Sequence, residues 1–120
     1  FGSVFLNAPL FGSGPNAYTF TLAQRDPGKS VWEYQPIHNV FLLILGELGV
    51  IGFVLFVYLL FTVNPIAHAS IKNTTGILAM SLGITLFTIS LLDHYMWSLW
   101  PGLALTALSG AFIVRWGKDL

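Results

Sequence analysis

The chain has no cysteine and very little charge. The missing cysteine excludes a disulfide framework, a thiolate nucleophile and a cysteine-ligated zinc site. Charged residues make up 8% of the 120, against about a quarter in soluble domains. Five Lys and Arg balance five Asp and Glu. With no basic cluster there is no electrostatic footprint for nucleic acid, and none is expected as a partner. No charged stretch followed by an apolar core precedes Asn7, so nothing resembles a signal peptide. The chain reads as a fragment of a longer protein.

What is present is apolar: 55% of the residues are hydrophobic, and they collect in long runs. This is the composition of a helical membrane protein. We expect an all-α fold with about three transmembrane helices, over residues 40–63, 76–97 and 99–116, preceded by an outer loop region of residues 1–39. Asn64-Pro65 ends the first span, and Tyr95, Met96 and Trp97 pad the second at an interface. Gly46, Gly49 and Gly52, and later Gly102, Ser109 and Gly110, read as small residues that let helices approach closely.

Three crossings fix which histidines can meet. With residues 1–39 outside, the loop carrying His68 and Lys72 and the tail carrying Arg115 and Lys118 fall in the cytoplasm, while 93–97 return to the outer side. His38, Asp93 and His94 can therefore share a site, and His68 cannot.

The outer region is dense in turn residues from Asn7 to Asn16, with Phe11, Tyr18 and Phe20 available as interfacial anchors. Gly12-Ser13-Gly14 has two readings, a phosphate cradle of backbone amides or a tight turn. Gly28-Lys29-Ser30 imitates the end of a P-loop, but Ala23 stands where that motif needs glycine, so nucleotide binding is set aside. His38-Asn39 lies at the mouth of the first span, suited either to proton chemistry or to plain capping of the helix. Arg25 precedes Asp26-Pro27-Gly28, which allows a local salt bridge as readily as a phosphate contact. Glu47 lies deep in an apolar run and must be protonated, paired or hydrogen-bonded. Nine residues from His38 is half a turn out of phase, so Glu47 reads as a polar anchor between helices more readily than as a catalytic partner. His38, Asp93 and His94 add up to two imidazoles and a carboxylate. Adjacent ligands converge poorly from one helix end, and no metal or other cofactor is expected.

Taken in order, Phe11-Gly12-Ser13-Gly14-Pro15-Asn16, then Pro36-Ile37-His38-Asn39-Val40-Phe41-Leu42, then Gly46-Glu47-Leu48-Gly49-Val50-Ile51-Gly52, the chain resembles the O-antigen ligase and polymerase superfamily. Asp93-His94-Tyr95-Met96-Trp97 is similar to a motif of some bacterial members, so that the likeness extends over nearly the whole fragment. The resemblance implies a polytopic glycosyltransferase of the bacterial inner membrane, of which this would be the C-terminal third. An undecaprenyl-pyrophosphate-linked glycan would be the donor, and a hydroxyl of lipid A core or of a growing glycan the acceptor. Such a transfer asks for a base at the acceptor and for groups that steady the leaving pyrophosphate. His38 suits the first role, since an imidazole in water has an ordinary pKa of about 6.5. Arg25 suits the second through its bidentate fork, with Lys29, Gly12, Gly14 and Asn39 as further substrate contacts. Glu47, Asp93, His94 and Tyr95 are auxiliary candidates. Two other classes stay open: a proton-coupled transporter with Glu47 and Asp93-His94 as relay groups, and a noncatalytic membrane subunit.

Overall fold

The computed structural model describes residues 1–63 and 74–116, which form helices joined by turns and loops, with no strand among them. His68, Lys72 and Lys118 lie outside the described residues. The elements are α1 (Gly2–Phe5), α2 (Tyr18–Arg25), a 3-10 turn (Val31–Glu33), α3 (Val40–Val63), α4 (Thr74–Leu92), α5 (Tyr95–Ser98) and α6 (Trp100–Trp116). Two helices are long and apolar enough to cross a bilayer, Val40–Thr62 and Thr74–Leu92. At 1.5 Å per residue these 23 and 19 residues extend about 35 and 28 Å. Helix α6, at 17 residues, reaches about 25 Å, at the short end of the range for a span. With most of their apolar side chains exposed, such as Leu55, Phe61, Ile84, Phe87 and Leu108, these helices are those of a membrane protein.

The stretch 76–97 is not one helix. α4 stops at Leu92, Asp93 and His94 turn the chain, and Tyr95–Ser98 form a separate short helix before α6. The reason is local: the Asp93 carboxylate accepts the His94 amide at 2.6 Å, which substitutes for a continuing helical bond. α4 and α5 both pack on α6.

Helix α3 is also interrupted, at Gly49, whose φ of 67° and ψ of −172° are not helical. An unbroken helix would join the Gly46 carbonyl to the Val50 amide and the Glu47 carbonyl to the Ile51 amide. Instead, the loop from Pro9 to Gly14 is spliced into this gap. Ser13 N donates to Gly46 O (3.0 Å) and Gly14 N to Glu47 O (2.9 Å), while Val50 N donates to Pro9 O (2.9 Å) and Ile51 N to Leu10 O (3.2 Å). Both broken rungs are replaced, so the kink leaves these four backbone groups bonded. The approach is so close that a Cβ on Gly49 would lie 2.3 Å from Leu10 O, and one on Gly12 (φ 71°) would lie 2.2 Å from Glu47 O. Gly49 thus admits a loop where a neighbouring helix was expected, while Gly46 faces the Tyr18 ring of α2. On α6, nothing lies within 4 Å of a Cβ built at Gly110.

Two apolar clusters hold the N-terminal region against α3 and α5. Val4, Tyr18 and Leu43 form one, joined by Leu22, Ile37 and Trp97. Val40, Ile44 and Met96 form the other, with Leu48, Phe56, Ile89 and Tyr95 packed around them. Tyr18 is 3% exposed, so it is a core residue and not an interfacial anchor; Phe11 and Phe20 are exposed. Burial of the ring raises its phenol pKa above the ordinary value.

Candidate functional site at the mouth of helices α3 and α4

Asn39 begins α3 and ties it to the end of α4. Its Oδ1 accepts the Leu42 amide at 3.0 Å, capping the helix, and its Nδ2 donates to Leu91 O at 3.0 Å. Both ends of the side chain thus serve the fold, with one amide hydrogen and one oxygen lone pair beyond these two bonds. Through this staple His38 stands beside the residues that follow α4. Its Nδ1 lies 3.6 Å from Asp93 Oδ1, and its ring centroid lies 5.1 Å from that of His94. His38 and Asp93 are open, with side-chain exposures of 64% and 51%, while His94 is 16% exposed. The Asp93 pKa is lowered, first by the His94 amide bond, against some desolvation, and then by the charges of His94 and His38. A depressed carboxylate stabilises the fold above its unfolded pKa, and that contribution disappears as pH falls through the folded value. His94 is oriented by Ser98, which contacts its Nδ1. Tyr95, the first residue of α5, packs its ring into the Val40 cluster.

Glu47 belongs to a different site. It is 2% exposed, and its carboxylate accepts Asn16 N at 2.9 Å, Tyr18 N at 3.4 Å and the Trp97 indole N–H at 2.8 Å. It links the spliced loop, α2 and α5 to α3.

The Gly12-Ser13-Gly14 amides are not aimed at a phosphate. They donate to Ala8 O, Gly46 O and Glu47 O, which removes the cradle expected of Gly12 and Gly14. Arg25, in the last turn of α2, donates from Nη1 to Ser3 O. Asp26 pairs with Lys29 and not with Arg25. That bond, followed by the Asp26 charge, raises the Lys29 pKa. Ser30 and Glu33 form a capping box around the 3-10 turn, which accounts for the serine of the false P-loop.

A loop laid into the Glu47 helix and leading to a His-Asn pair at its head can be compared with known proteins. Residues 3–57 match the O-antigen ligase family. The matched segment spans α1, α2, the splice and α3 as far as Val57, and so includes His38, Asn39, Arg25 and Glu47. Asp93 to Trp97 lie beyond it, so the match is narrower than the likeness of nearly the whole chain. No curated protein and no solved structure matches the chain significantly.

Sequence reasoning missed Trp97 and Ser98. Glu47 alone signalled that some donor must reach into the apolar run, but nothing in the sequence named an indole fifty positions away.

Proposed function

We propose that the protein is a glycosyltransferase of the O-antigen ligase or polymerase type, with residues 1–39 and 93–97 on the outer side of the bacterial inner membrane. The observation that carries this reading is the exposed His38 at the head of the family-matched helix, beside the Asp93 carboxylate. His38 is the base. Its free ring nitrogen takes the proton of an acceptor hydroxyl of lipid A core or of a glycan, and the freed oxygen forms a bond to the anomeric carbon of the donor. The bond from that carbon to the pyrophosphate oxygen breaks, and its electron pair leaves with undecaprenyl pyrophosphate. Asp93 steadies the imidazolium that results. Arg25 and Lys29 bring positive charge to the leaving group; Arg25 retains donors beyond the one given to Ser3, since a guanidinium has five.

The test is transfer from a defined lipid-linked donor by the full-length protein. We expect His38→Ala to lower the rate by about 10²–10⁴-fold, the usual worth of a general base, with unchanged membrane insertion. Arg25→Ala is expected to lower it through donor binding. Wild-type rates in both variants would remove these residues from the chemistry, and no transfer by the wild type to any acceptor would favour a noncatalytic subunit.

A further inference from the structure

The three side chains at the mouth have the geometry of a cation site. His38, Asp93 and His94 each offer one ligand atom, and these atoms lie within 4.8 Å of one another. Tetrahedral zinc with bonds of 2.0–2.1 Å needs ligand atoms about 3.3 Å apart. The distances from Asp93 Oδ1 to His38 Nδ1 and to His94 Nε2 are 3.6 and 3.8 Å, a few tenths of an ångström beyond that spacing, and the exposed His38 ring is the one to swing inward on binding. The adjacent Asp93 and His94 converge after all because they occupy the turn between α4 and α5, and His38 arrives from α3.

A second observation is the contact of Ser98 Oγ with His94 Nδ1, which leaves Nε2 on the side of Asp93. An outer-shell contact of this kind orients a metal-binding histidine.

We infer that His38, Asp93 and His94 bind a divalent cation of the zinc type, an open site with room for water. Nitrogen and carboxylate donors in this ratio suit zinc better than magnesium or calcium, which take oxygen. Binding stands independently of the proposed function; its consequence, reversible inhibition by engaging the base His38, rests on that reading.

The experiment uses full-length protein in detergent, stripped with a chelator and titrated with Zn²⁺ by calorimetry and with Co²⁺ by its visible absorption. One equivalent is expected. His94→Gln and Asp93→Asn are expected to weaken Zn²⁺ by more than the roughly 10–100-fold that loss of an outer-shell partner costs, and Ser98→Ala by about that amount. Elution profile and helical circular dichroism identify any variant that fails to fold, in which case Ser98→Ala decides. No binding by the wild type, or equal binding in all folded variants, overturns the inference. In the activity arm, Zn²⁺ suppresses transfer and chelator restores it. Binding at the cluster without loss of transfer keeps the site and rejects His38 as base. Absence of binding with transfer that depends on His38 does the reverse.

Discussion

The splice around Glu47 and the mouth around His38 use similar side chains to opposite ends. At the splice, a buried carboxylate meets three N–H donors, and the Gly-x-Gly amides each meet a carbonyl. At the mouth, an exposed carboxylate faces two imidazoles at distances longer than a hydrogen bond. Saturated polar groups hold a structure in place, whereas groups with unused capacity are available to a substrate or an ion. The contrast explains why the Gly-x-Gly element, so suggestive of phosphate, serves the fold.

Substitutions at the splice test that difference first. Gly49→Ala is expected to cost about 2–4 kcal/mol, from backbone strain at positive φ and from collision with Leu10 O. A clear fall in Tm of the purified protein is the readout, and an unchanged Tm would show that the loop is not inserted in α3. Glu47→Ala strands three donors in a buried site, for a loss of about 2–3 kcal/mol. It should lower Tm, and transfer should fall only as far as the folded fraction does. A variant with native Tm and no transfer would move Glu47 into the chemistry and erase the distinction between the regions. His38→Ala should give the mirror image, native Tm with transfer lost. Asn39→Ala sharpens the boundary between the two, since it removes a helix cap and the tie to Leu91, for about 1 kcal/mol. Partial loss of both Tm and transfer is expected, because the tie aligns His38 with Asp93. Loss of transfer alone would make substrate contact the main role of Asn39.

Much of the architecture was legible in the sequence because lipid imposes simple rules. A long apolar run must be helical, since its backbone has no water to bond, and α3 occupies Val40–Val63 as that run suggests. Crossing parity alone allowed His38 to meet Asp93 and His94. The break at Leu92 was less visible, because Tyr95, Met96 and Trp97 continue the apolar pattern while the Asp93 side chain diverts the backbone. The interruption at Gly49 was hidden for a similar reason. A glycine in an apolar helix has the same pattern whether it admits a helix or a loop.

Composition and periodicity determined that this is a helical membrane protein, because the transfer of apolar side chains and of backbone amides into lipid depends on the chain locally. The ordered motifs pointed to the family whose model residues 3–57 match. Only the tertiary structure decided which polar groups are already satisfied. Hydrogen-bond partners such as Glu47 with Trp97, or the Gly-x-Gly amides with α3, are brought together by folding across dozens of residues, and no local pattern encodes that pairing.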